Sequence, residues 1–162
     1  RNFACFKDGT YYSKTYQVGK TTFRLIFLDD IFFSFRPEEN MKNPYMDKFQ
    51  LCWLRDQLHE SGNDIEIILM HIPFTDFGQQ EPSNELYSML EANPSVKLIL
   101  AGHQHKNIVE KYPSEGDNRI VQVQTGAFAG DINNWRQIKL TEDQILVSFP
   151  GKTENELTIP VK

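Results

Sequence analysis

The sequence predicts an α/β fold, a mixed sheet with flanking helices, and three observations carry that expectation. Apolar runs of strand length alternate with stretches of helical period, in the order strand, helix, strand, helix, strand, between Thr21 and Ala101. Right-handed crossovers turn such an order into parallel, adjacent strands. Ahead of it, Gly19-Lys20 separates two β-rich runs, the signal of a tight hairpin. Beyond Asn107 the helical period disappears and short β-rich runs follow one another.

Taken in order, Tyr11 to Val18 and Thr21 to Leu28 are the hairpin strands, and Asp29-Asp30 leaves the second. Residues Ile31 to Pro44, aromatic-rich and interrupted by Pro37 and Pro44, read as an ordered loop. From Asp47 to Leu58 the apolar positions Phe49, Leu51, Cys52, Trp53, Leu54 and Leu58 predict an amphipathic helix ending near Ser61-Gly62-Asn63. The run Ile65 to Met70 is a strand, Pro73 and Gly78 mark a loop, and Ser83 caps a helix that stops before Asn93-Pro94. Val96 to Ala101 is the next buried strand. The runs 108–112, 119–124, 135–140 and 144–149 predict an antiparallel meander, with turns at Glu115-Gly116-Asp117-Asn118 and Thr141-Glu142-Asp143. Gly126 to Gly130 forms a loop back toward the strand ends. No repeat or interdomain linker appears, so 1–162 is read as one domain or part of one, with 152–162 a loose tail or an edge strand.

Composition narrows the function classes. A net charge of -5 and scattered lysines and arginines argue against a nucleic-acid surface. The longest apolar runs are strand-sized, short of the roughly 18 residues of a membrane span, and Arg1 to Cys5 does not read as a signal peptide, which favours the cytoplasm. Cys5 and Cys52 read as free thiols, Cys52 as a small core residue of the first helix.

Three of the 4 histidines close strands. Gly102-His103-Gln104-His105 follows Val96 to Ala101, and His71 follows Ile65 to Met70. In an extended segment positions i and i+2 project to one side, and Gly102 allows a sharp turn, so both rings of the first motif can meet one point. Parallel strands bring their C-terminal ends to one edge, where open α/β sheets bind ligands. His71, His103, His105 and Asp29 therefore share a crevice. Neutral imidazole is a common ligand of zinc-, iron- and manganese-type ions, so His71, His103 and His105 are the candidate metal ligands. Asp29 is a candidate outer partner that fixes an imidazole tautomer, with a turn or cap as the plainer reading for Asp29, Asp30 and Asp76. His59 reads as a helix-end cation, and Thr125-Gly126-Ala127 as a Gly-containing turn.

Three segments together, Gln50-Leu51-Cys52-Trp53-Leu54, Ile67 to Pro73 with its Met70-His71-Ile72-Pro73, and Leu98 to His105 with its Gly102-His103-Gln104-His105, resemble successive landmarks of the calcineurin-like metallophosphoesterases, from about Tyr11 to Phe149. The resemblance implies half of a two-sheet α/β sandwich and a phosphohydrolase cleaving phosphomonoesters or phosphodiesters with a metal-activated hydroxide. It also implies two transition metals, Mn, Zn or Fe, with His71 and His103 on one and His105 on the other. The family's Asp-x-His, Gly-Asp-x-x-Asp and Gly-Asn-His elements are absent from this sequence. The chain therefore reads as the C-terminal half of such a domain, its N-terminal half lying on the same or another polypeptide. Its inner sheet face is expected to be apolar and uncovered. Two close cations need a bridging carboxylate to offset their repulsion, so this chain alone holds one metal or none, and no retained residue is identified as the general acid. Two alternatives remain: a self-contained hydrolase with one metal on three histidines, or a non-catalytic binding module. The phosphate-ester substrate is left to loops such as 31–44 and 74–82.

Overall fold

A computed structural model describes residues 10–30, 46–74, 83–112, 119–152 and 154–162. The hairpin strands are β1 (Tyr12–Val18) and β2 (Thr21–Phe27), antiparallel, with Val18 opposite Thr21. Gly19 takes φ +59 at the first turn position, the backbone sign of a type II′ turn. A Cβ there would meet Glu142 Oε2 at 2.5 Å, a contact that the flexible end of that side chain can relieve, so the conformation is what calls for glycine.

Helix α1 (Lys48–Glu60) starts where Asp47 Oδ1 accepts the Gln50 N–H at 2.8 Å, the N-cap bond that satisfies one of its free donors. Strand β3 (Ile65–Leu69), helix α2 (Ser83–Ala92) and strand β4 (Val96–Ala101) follow. Strands β2, β3 and β4 are parallel neighbours, as the crossover argument requires.

The C-terminal third departs from a simple meander. Strand β5 (Ile108–Tyr112) pairs antiparallel with β6 (Ile120–Gln124), and β6 lies parallel to β4, giving a six-stranded mixed sheet of order β1-β2-β3-β4-β6-β5. Strands β7 (Gln137–Leu140), β8 (Gln144–Ser148) and β9 (Leu157–Pro160) form a separate antiparallel sheet. The periodicity cannot show which neighbour a half-buried strand chooses, and the meander splits between two sheets. Residues 157–160, read from sequence as tail or edge strand, are the edge strand.

Burial sorts the six-stranded sheet into two faces. Ile26, Ile68 and Ile99 pack under Leu51, Leu54 and Leu58 of α1 and Leu86 and Leu90 of α2. Phe23, Ile67, Leu98, Val121 and Val123 pack on the other face against Ile145, Val147, Ile159 and Val161. The inner face therefore carries its own cover, correcting the expectation of an open apolar face.

The helix reading is also corrected in detail. Phe49 is 81% exposed and Cys52 is exposed, whereas Gln50 is buried. Gln50 holds the chain leaving β2: its Oε1 accepts the Asp29 N–H and its Nε2 donates to the Asp29 carbonyl, both at 2.8 Å. His59 lies in the last turn of α1. Cys5, Asp76, the loop 31–44, nearly all of the loop 74–82 and the turn 115–118 lie outside the described residues.

Candidate metal centre

Four parallel strands end at one edge: β2 runs into Asp29-Asp30, β3 into His71, β4 into Gly102-His103, and β6 into Thr125-Gly126. The His71 and His103 rings stand there with centroids 5.3 Å apart, nearly perpendicular at 80°. His71 is exposed, and its pKa is lowered by desolvation and by the neighbouring His103 and His105, which favours the neutral imidazole a metal requires.

The turn that presents the histidines differs from the expected extended segment. His103 has φ 71 and His105 φ 56, and they are the non-glycine residues with positive φ among those described. The Gln104 N–H donates to the Gly102 carbonyl at 2.9 Å, closing a γ-turn with His103 at its centre. That is the rarer and more strained kind of γ-turn. The sharp conformation falls on the histidines and not on Gly102. Strain of this kind, of order 1 to 3 kcal/mol per residue, persists where surrounding bonds fix it and concentrates at functional positions. The fixing bonds are present: the Gly102 N–H donates to the His71 carbonyl at 2.9 Å, and the Gln124 side chain donates to the Gly102 carbonyl at 2.7 Å.

The His71 loop is held by buried side chains. Asp30, 1% exposed, accepts the His71 N–H at 3.1 Å and the Ile72 N–H at 2.5 Å. Burial pushes the Asp30 carboxyl up to about 6, against the lowering effect of those two amides. Gln122 Oε1 accepts the Phe74 N–H at 2.6 Å, while its Nε2 donates to Glu110 at 2.8 Å. Asp29 lies at the same edge, but its carboxylate accepts from the Thr10 hydroxyl. Asp30 is the residue that reaches a histidine segment.

Behind the second histidine, Asn107 Oδ1 accepts the Gly126 N–H at 3.0 Å and an Arg136 Nη1 bond at 3.1 Å. Arg136, its side chain 3% exposed, also donates to the Gln124 carbonyl and, through Nε and Nη2, pairs with Glu156 at 2.6 and 2.9 Å. Its guanidinium lies 4.5 Å from the Phe149 ring centroid. Thr125-Gly126-Ala127 is thus anchored to the segment after His105, and the turn follows it at 128–130. Sequence reasoning missed Gln122, Gln124, Asn107 and Arg136. The signal it had was glutamine at two buried positions of an otherwise apolar strand, β6.

Among the described residues no three His, Cys, Asp or Glu side chains converge closely enough to hold an ion by themselves. No helix among them is long and apolar enough to cross a membrane.

The family model for calcineurin-like phosphoesterases matches residues 2–107. Among solved structures, the chain is similar to a dimetal phosphatase from Danio rerio, at TM-score 0.67 and 17% identity, over 94% of this chain and 61% of the other. It is also similar to GAP50, the anchor in the inner membrane complex of Plasmodium, at TM-score 0.59 and 17% identity, over 93% and 53% of the two chains. A Staphylococcus aureus protein described as a 5'-nucleotidase, solved with α-ketoglutarate, aligns at TM-score 0.53 and 22% identity, over 92% and 29%. At these identities the likeness is one of fold, and the chain spans 61% or less of each of these three proteins. Curated proteins offer no significant sequence match.

Proposed function

Because the chain belongs to the calcineurin-like phosphoesterase family, we propose that it supplies the C-terminal part of a metal-dependent phosphohydrolase acting on phosphomonoesters or phosphodiesters. The observation that carries the reading is the pair of strained histidines, His103 and His105, directly after β4, with His71 beside His103 at the same sheet edge. His71, His103 and His105 would hold transition metals of the Mn, Zn or Fe type. The donor set fits such ions in part: the rings are accessible, and the pKa of His71 is lowered. It lacks a negative charge, and three imidazoles do not offset the repulsion of two cations. Carboxylate ligands would come from a segment outside these 162 residues, in keeping with the longer chains of the similar structures.

Bound cations would supply charge neutralisation of the phosphate and activation of water. The chain's own residues hold the donors in place. Asp30 and Gln122 fix the His71 loop through backbone amides, and Gln124 fixes the carbonyl before His103. Asn107 and Arg136 tie the segment after His105 to the end of β6. Asp29, whose carboxylate accepts from the Thr10 hydroxyl, would have to give up that bond to serve as an outer partner for an imidazole. A second reading, a binding module without turnover, draws on the absence of three converging ligands among the described residues.

The test measures bound Mn, Zn and Fe in the wild type and in His71→Ala, His103→Ala and His105→Ala, then turnover of a nitrophenyl phosphodiester with manganese. The chain is assayed alone and mixed with the upstream half of its parent. Metal that falls in all three variants, with hydrolysis appearing only on mixing, supports the proposal. Equal metal content in all four proteins overturns the ligand assignment, metal binding without hydrolysis in either assay selects the binding module, and robust hydrolysis by the chain alone, abolished by His103→Ala, selects the self-contained hydrolase.

A further inference from the structure

A groove of about 300 Å³ lies at the opposite edge of the molecule from the histidines. It runs past Leu157, Thr158, Ile159 and Pro160, four consecutive residues of β9. Successive side chains of a strand point to opposite faces, so a groove that touches four in a row follows the strand's backbone edge. Among the described residues that edge is open, because β9 pairs with β8 and ends its sheet. The Val161 N–H donates to the Asp143 carbonyl at 3.0 Å, so alternation turns the main-chain groups of Thr158 and Pro160 outward. The free edge therefore presents the N–H and C=O of Thr158 and the C=O of Pro160.

The opposite wall is cationic. Lys97 at the start of β4, Lys111 near the end of β5 and Arg119 just before β6 line the groove, with Lys162 at its end and Val121 as apolar floor. Lys162 is already paired with Asp143 at 2.5 Å. Lys97 and Lys111 have no hydrogen bond or ion pair among the described residues. These cations are far apart in the chain, and the sequence reads them as scattered; the fold collects them on a protein of net charge -5. A concentrated positive field on an acidic molecule selects an anionic partner.

We propose that this groove binds a short, extended acidic peptide segment, which adds as a strand to the edge of β9. Its backbone would exchange two hydrogen bonds with Thr158 and donate one to Pro160, while alternate carboxylates meet Lys97 and Lys111. Main-chain pairing supplies affinity in such strand addition, and side-chain positions supply selectivity. Pro160 has no N–H, which limits the pairing to a short segment and keeps the edge from templating longer sheets.

The test is a titration of the 15N-labelled chain, followed by amide shifts. The probes are acetyl-Val-Glu-Val-Glu-Val-Glu-amide, its lysine counterpart, its alternately N-methylated form, and inorganic phosphate. The expected result is saturable shifts at Thr158 and Lys111 with the glutamate peptide alone. Affinity falls by about tenfold or more in Lys97→Glu/Lys111→Glu, the size of one or two lost charge contacts. Thr158→Pro, which removes the outward N–H and leaves the bonds to β8 intact, weakens the same binding. The proposal is overturned if no probe shifts these amides, if the lysine peptide binds equally, or if N-methylation is without effect. It is also overturned if phosphate shifts the same residues as strongly as the peptide, which would make the groove a small-anion pocket.

Discussion

Asp30 and Glu66 are both carboxylates withdrawn from water, 1% and 0% exposed, at opposite ends of the parallel strands. Asp30 accepts two backbone amides of the histidine loop. Glu66, near the start of β3, has neither oxygen in a hydrogen bond among the described residues. The Ser61 and Ser95 hydroxyls near it oppose the rise in its pKa only in part, and Ser61 gives its own proton to the Leu58 carbonyl. Burial raises both pKa values. The desolvation of Asp30 is offset by bonds that hold a candidate ligand in place, whereas that of Glu66 is opposed only weakly and holds nothing comparable. A buried charge beside the site is a positioning device; the same charge at the far end is a liability.

Removing each carboxylate separates the two roles. Asp30→Ala leaves the His71 and Ile72 amides without acceptors, and unfolding by urea should show a loss of about 2 to 4 kcal/mol. A loss below about 1 kcal/mol would mean that Gln122 alone holds the loop.

Glu66→Gln should act in the other direction. An acid whose folded pKa lies above its unfolded one gives its full stability below the unfolded value, and that stability is lost as pH rises through the folded value. The reference for Glu66 is 4.5, so the wild type should weaken as pH climbs above it. Glu66→Gln should be more stable than wild type near neutral pH, with the difference shrinking as pH falls toward 4, read from urea midpoints at both. A variant that is less stable at both would show that the carboxylate makes a contact its burial hides.

The same contrast shows what the sequence could convey. Strand positions, parallel order and the gathering of His71, His103 and Asp29 at one edge follow from apolar runs and chain order, which are local properties. Partner choice is not local: nothing in the run 120–124 says that β6 joins β4, or that Gln122 and Gln124 face inward to hold two loops. The exposure of Phe49 and burial of Gln50 reverse their hydropathy, because the two Asp29 bonds outweigh the usual cost of burying an amide. The strain at His103 was hidden for a different reason. A glycine stood next to it, and glycine is the usual site of a sharp turn.

That strain gives a smaller effect that sharpens the comparison between holding the fold and serving the site. His103→Gly relieves a positive φ and should raise stability by about 1 kcal/mol while lowering bound metal. The paired measurement is a thermal melt beside metal analysis. Stability and metal content falling together would assign His103 a structural role instead.

The smallest effect is expected at Gly102. A methyl there would stand 3.6 Å from His71 Nδ1 and 3.8 Å from its Cε1 and carbonyl oxygen, all ordinary contact distances. Gly102 has no positive φ, so alanine meets no backbone penalty of that kind, and the less flexible unfolded chain works in its favour. Gly102→Ala should therefore change stability by no more than about 0.5 kcal/mol. Its use lies in the ring of His71, whose Nδ1 is the atom nearest the new methyl. Metal affinity within about twofold of wild type would place the donor at Nε2, since a methyl pressed against the donor atom itself should cost about tenfold, or 1.4 kcal/mol. A large fall in affinity with unchanged stability would place the donor at Nδ1, and Gly102 would then owe its place beside the histidine to the metal and not to the turn.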